Sequence, residues 1–310
     1  MKGLPLIDPK ATGIDVGAER LHVSVGGDAP RVFGTMTRDV AELVGYLTEQ
    51  GVASVAMEAT GVYWMYLYEA LQQAGFKVFV VNGRHVRNLP GRKTDMADCQ
   101  WLATLHAHGL LRSGFVPPEG IRRLQDYLRL REDHIRSGTA HALHMQKALE
   151  RMNIKFHTVI SDVTGASGLR VLRAIVAGER DPTKLLELCD RQISKRKADR
   201  VVESLRGTWK LQHLFALRQA LAGWDFYKAQ IRECDEAIEA VLRELSGPPD
   251  GDDGATTKRG KNGGGNTPQI AGLHRMLVRL CDGQDPTTIT GMADHSWLRL
   301  SSLIFLIKQP

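Results

Sequence analysis

Four acidic residues stand out for where they fall. Asp15 lies inside the apolar run Thr12 to Val16, flanked by Ile14 and Val16. A carboxylate in such a run is costly unless it is paired or metal-bound. Glu58 follows the buried-strand pattern Val52 to Met57. Asp95 and Asp98 are three apart, a spacing that puts two side chains on one face of a helix. Carboxylates gathered from two strand ends and a helix raise each other's pKa, and a divalent cation relieves the repulsion. Hard oxygen donors suit Mg2+, which is held by a few carboxylates together with water and phosphate oxygens. Two such ions about 3.5–4 Å apart can hold a scissile phosphate, one activating the attacking water or hydroxyl and the other stabilising the leaving oxygen. The plainer alternative is a cap or turn, and for Asp95, next to Thr94, capping alone would serve. It serves less well for Asp15, since a buried acid wants a partner.

The elements that must position these groups can be read from periodicity. Thr12 to Val16, Leu21 to Val25 and Arg31 to Thr37 are strand-like and closely joined, which predicts an antiparallel meander. Helical spacing follows over Asp39 to Gln50 and Tyr63 to Ala74, with strands at Val52 to Met57 and Lys77 to Val81 and a helix from about Asp95. Helices between the later strands require crossovers and hence a mixed sheet, an α/β layout compatible with a ribonuclease-H-like domain over residues 1–115. From Ile121 to Met152 and from Leu169 to Leu245 the pattern is helical. The series Leu217, Leu221, Trp224, Tyr227, Ile231, Cys234, Ile238, Val241 fits either a coiled-coil seam or a bundle helix. Residues 116–245 therefore read as an α-helical, coiled-coil-like region. Residues 246–266 read as a flexible linker rich in Gly, Pro, Asp, Lys and Thr. Residues 267–310 hold one helix around His274 to Cys281, a turn at Asp282-Gly283 and an apolar end, too little to build much of a core alone.

Charge and composition narrow the partners. The net charge of +6 and pI of 9.2 favour a polyanion, nucleic acid first and membrane second. No apolar run approaches the roughly 18 residues of a membrane helix, and Met1 to Lys10 has no signal-peptide pattern. The four cysteines lie far apart without metal-ligand spacing, so a cytoplasmic location is expected. Arg84, His85, Arg87, Arg92 and Lys93 form a basic loop just before Asp95, placed to contact phosphates if not merely solvated. Lys195-Arg196-Lys197 could touch RNA or DNA, or simply face water. Among Tyr63, Trp64, Tyr66 and Tyr68 some must be core. His106 and His108, two apart, suit a strand better than a helical metal pair, and His134, His141 and His144 suit a surface face.

Certain stretches carry more than pattern. Gly13-Ile14-Asp15-Val16-Gly17, Met57-Glu58-Ala59-Thr60-Gly61 and Lys93-Thr94-Asp95-Met96-Ala97-Asp98 occur in this order. Together they resemble the DEDD-type insertion-sequence transposases, the family numbered one hundred and ten. The resemblance continues through 160–168, 177–182, Leu205-Arg206-Gly207 and Trp224 to Asp235, and so covers roughly residues 10 to 300. It implies a RuvC-like N-terminal domain with Asp15, Glu58, Asp95 and Asp98 as a metal-binding catalytic tetrad for Mg2+, two ions being expected. It also implies a bacterial recombinase that exchanges DNA strands at targets chosen through a structured guide RNA. The helical middle would assemble homo-oligomers, and a C-terminal domain would supply a serine nucleophile.

The end of the chain departs from that family. Residues 266–269 and 289–292 look like the entrance to the C-terminal domain, yet after about Leu300 no serine motif follows, and Ser296, Ser301 and Ser302 are not nucleophiles on this reading. A C-terminally truncated transposase is expected, through a frameshift or premature stop. The alternatives are a stand-alone structure-specific nuclease with the same tetrad and a non-catalytic remnant that binds nucleic acid.

Overall fold

The computed structural model describes residues 4–83, 86, 97–247, 266–281, 283–289 and 292–304. It divides into two compact units, Met1–Val116 and Pro117–Pro310.

The first unit is built on five strands: β1 Thr12–Val16, β2 Arg20–Val25, β3 Arg31–Gly34, β4 Ser54–Glu58 and β5 Lys77–Val81. Their order is β3-β2-β1-β4-β5, with β3, β2 and β1 antiparallel and β1, β4 and β5 parallel. This is the mixed sheet that the pattern and the RuvC-like expectation required. On one face, Ile14, Val16, Val55 and Met57 pack against α1 (Thr37–Glu49) and α2 (Trp64–Gln73) through Val40, Leu43, Leu47, Leu67 and Leu71. Tyr68 belongs to this core, whereas Tyr63 and Tyr66 are exposed.

The other face is covered by α3, Asp98–Ala107. Gly13 on β1 lies against its backbone, and a Cβ there would overlap the Cys99 carbonyl oxygen and the Ala103 nitrogen. Helix and strand therefore meet with no side chain between them. The helix begins at Asp98, with Ala97 extended (ψ 151°) at its N-cap, so the helix expected from about Asp95 starts three residues later.

Near the other end of α3, His106 is buried in the helix, with His108 at the C-cap, where the spacing had suggested a strand. A helix buried on several sides by Cys99, Trp101, Leu102 and Leu105 lacks the one-sided pattern that would announce it. The Ser54 hydroxyl donates to Asp8 Oδ2 (2.7 Å), so its oxygen is left to accept from His106 Nε2 at 2.8 Å. Burial, with help from Lys77 and against the pull of Asp8, holds the imidazole below the ordinary histidine range. The unfolded chain then binds the proton more readily than the folded one. The stabilisation is complete above the ordinary range, declines as pH falls through it and levels off below the folded pKa. Denaturant midpoints measured from pH 7.5 to pH 5 are expected to decline for the wild type and to decline less steeply for His106→Gln.

The second unit is organised by two long helices, α4 (Glu119–Arg151) and α10 (Leu211–Ser246). They run antiparallel, as the pairs Arg123–Glu244, Arg131–Asp235 and His141–Gly223 show. The periodic series on α10 faces α4 of the same chain, burying Leu217, Leu221, Ile231, Cys234, Ile238 and Val241. His134 and His141 are only half exposed, not a solvated face: they flank Tyr227, with ring centroids 5.8 and 5.5 Å away. Gly223 makes room for the His141 ring.

Between the two long helices come α5 (Phe156–Val159), α6 (Ala166–Ala177), α7 (Pro182–Glu187), α8 (Arg191–Arg196) and α9 (Ala198–Ser204). They close a core at one end of the pair around Leu149, Phe156, Val171, Leu172, Val201 and Leu217. At the other end, α11 (Leu273–Leu280) and α12 (Asp294–Ile304) pack Met276, Leu277, Trp297 and Leu298 against Leu124 and Ile238. The described residues between Ile270 and Leu298 thus complete a core shared with the long helices. Beside it lies a buried ion pair: Arg131 Nε donates to Asp235 Oδ1 at 2.6 Å, with the two residues 6% and 3% exposed. Arg131 Nη2 also reaches the Asn266 carbonyl, and the Gln269 amide donates to Asp235 Oδ2. Among the described residues no helix is long and apolar enough to cross a membrane.

Candidate active site

Parallel pairing of β1 with β4 matches Ile14 to Met57, so Asp15 and Glu58, each one residue further on, are neighbours at the C-terminal ends of their strands. Strand alternation turns both away from the apolar core and toward the face that α3 covers. Both are half-buried. Glu58 is the last residue of its strand rather than the residue after it.

The Glu58 carboxylate lies over Gly83, where a Cβ would overlap it. The obstacle is the far end of a flexible side chain, so Gly83→Ala should leave the fold intact and displace the acid. The expected result is a thermal midpoint close to the wild type together with divalent-cation affinity at least about tenfold weaker, read by titration calorimetry. An unchanged affinity would place Glu58 outside any cation site.

Asp98 is exposed and opens α3, where the helix dipole favours a negative charge. The fields of Asp15 and Asp98 meet at the buried Cys99 thiol, whose pKa is pushed up by burial first and by these two charges further. Cys99 therefore stays a neutral thiol beneath the acids. His22 on β2 stands directly across β1 from Asp15, half-buried. In sequence, a histidine between Leu21 and Val23 looks like any outward residue of an alternating strand.

Three of the four expected acids are thus carried on adjoining elements. Asp95 lies outside the described residues, as do Arg84, His85, Arg87, Arg92 and Lys93. Among the described residues, no three His, Cys, Asp or Glu side chains are grouped so as to hold a metal ion. In kind the donors fit a hard divalent cation: they are all carboxylate oxygens, and two of them sit side by side on paired strands. The four cysteines are free, with Cys99, Cys189 and Cys234 buried, and contribute no thiolate cluster.

Residues 12–154 match a family model described as a transposase, the DEDD type of the insertion-sequence 110 family. The matched segment takes in the whole sheet, α3 and all of α4. A search of the curated proteins finds no match to the chain.

Proposed function

We propose, from the match of residues 12–154 to a DEDD transposase family model, that the chain cleaves and exchanges strands of insertion-sequence DNA with the help of Mg2+. The observation that carries this reading is the β1–β4 register, which sets Asp15 beside Glu58. Asp15, Glu58 and Asp98, with Asp95 as the fourth acid, would hold the cation. When bound, the cation supplies positive charge to the attacking and leaving oxygens of a phosphodiester.

The chain's own residues do the positioning. Gly83 leaves the Glu58 carboxylate its place, and Gly13 lets α3 carry Asp98 close to β1. Arg84, Arg87, Arg92 and Lys93, which the sequence sets between β5 and α3, are proposed as phosphate contacts. In this reading residues 1–115 are the catalytic domain, 116–245 the assembly region, 246–266 a linker and 267–310 the beginning of the C-terminal domain. DNA is the substrate, a structured RNA directs it, and the working form is a homo-oligomer in the cytoplasm.

Calorimetric titration of the full chain with Mg2+ tests the reading most directly. Saturable binding that Asp15→Ala removes is the expected result. No binding, or binding that Asp15→Ala leaves untouched, would sink every cation-dependent version of it.

A further inference from the structure

The net charge of this chain is concentrated in one short stretch. Residues 191–210 hold seven Lys and Arg against Asp199 and Glu203, a net charge of +5, where the whole chain has +6. Two of the seven cations are engaged: Lys197 donates to the Val159 carbonyl at 2.7 Å, and Arg206 pairs with Glu203 at 3.3 Å. Arg191, Lys195, Arg196, Arg200 and Lys210 are exposed, and their side chains make no ion pair or hydrogen bond among the described residues. Elsewhere in the second unit many surface arginines have acidic partners, as in Arg129–Asp126, Arg136–Asp133, Arg173–Asp225 and Arg243–Glu239. A cluster of unpaired like charges adds self-repulsion to the fold, and a bound polyanion would relieve it.

A second observation indicates which polyanion. Helix α9, which carries Arg200, forms one wall of a groove of about 410 Å³ through Val202, together with Leu205 at its C-terminal cap. The other wall is the turn into α7, and Trp209 closes the groove. Arg180 lies over the Trp209 ring at 4.7 Å and donates Nη1 to the carbonyls of Ile175 and Glu179. Its guanidinium is therefore fixed in the groove, one wall of which is the helix that carries Arg200. Nucleobases stack on aromatic rings and on guanidinium planes, while phosphates seek Lys and Arg. A run of phosphates with planar bases attached would use both the cations and the stacking surface at once.

We infer that α8, α9 and Lys210, with the Arg180–Trp209 groove, form a nucleic-acid-binding surface of the second unit, separate from the acids of the first. The choice of nucleic acid as the polyanion rests in part on the recombinase reading above.

The test uses the full chain, a labelled RNA hairpin with an unpaired loop, and a DNA duplex of equal length. In the variant Lys195→Glu/Arg196→Glu/Arg200→Glu, affinity for at least one probe is expected to fall at least about tenfold. Its log-affinity against log-salt slope should shrink by about two, since each phosphate contact contributes about 0.7–0.9. A control with the same charge change at paired arginines, Arg129→Glu/Arg136→Glu/Arg243→Glu, is expected to lose much less. Loss confined to the hairpin identifies RNA as the ligand, loss confined to the duplex identifies DNA, and loss of both identifies the shared backbone. Equal losses in variant and control, no loss in either, or no binding by the wild type overturns the inference. If the reversals unfold the chain, glutamine at the same three positions carries the test. Mg2+ calorimetry on the same proteins separates the two readings, because an absent cation site beside a functioning patch overturns the catalytic reading alone.

Discussion

Asp15→Asn is expected to lower Mg2+-dependent DNA cleavage by at least about a hundredfold, because even the groups that merely orient metal ligands are worth ten- to a hundredfold. The same change should abolish the stabilisation that Mg2+ gives the protein. Asp15 shares its corner with Glu58 across paired strands, and its charge also reaches Cys99 near Asp98. Neutralising one of several clustered acids relieves repulsion. Melting curves with and without Mg2+ make the distinction: the cation should raise the wild-type midpoint and not that of the variant. If Asp15 served only as a structural ion-pair member, the variant would melt lower in both conditions and keep its cleavage rate.

The second large effect is in the helical unit. Arg131→Met leaves Asp235 buried without its counter-charge, at a cost of about 3–5 kcal/mol. The double variant Arg131→Met/Asp235→Leu should regain most of this, because a buried pair replaced by apolar groups is often close to neutral. Recovery should fall short of the wild type. The pair also engages the Asn266 carbonyl and the Gln269 amide, and the double variant leaves both without these partners. Denaturant titration of the three proteins checks the order. Equal stability of single and double variants would show that the pair is not coupled.

How far these features could be foreseen differs by element. β1 and β5 have the bounds the pattern predicted, since short apolar runs between turns leave little freedom. The start of α3 was harder to place. Asp95 and Asp98 at a spacing of three suggested a common helix face, but Ala97 is extended and the helix opens at Asp98. The seam on α10 could be recognised as apolar but not assigned a partner, because periodicity is the same whether the facing helix belongs to this chain or to another. α12 read only as an apolar end, because its Trp297 and Leu298 find their core in Leu124 and Ile238, far back in the chain. Arg131 and Asp235 are 104 residues apart, and no local signal marks either as buried. For the site, the acids were legible because their types are unusual in their runs. Gly83 and His22 acquire meaning only once the strands are paired.

If the acids hold a cation as proposed, the contact at Gly13 bears on which one they would select. A joint made of backbone against backbone has no rotamer through which to yield, so the spacing between β1 and the first turn of α3 is nearly incompressible. Donors mounted on the two sides of such a joint can follow the radius of a guest ion only by turning their own short side chains. Mg2+ demands near-ideal octahedral geometry at about 2.0–2.1 Å, whereas Ca2+ accepts looser shells at about 2.3–2.6 Å. In the proposed site, a stiff frame of this kind would make discrimination between the two a property of the main chain rather than of the acids themselves.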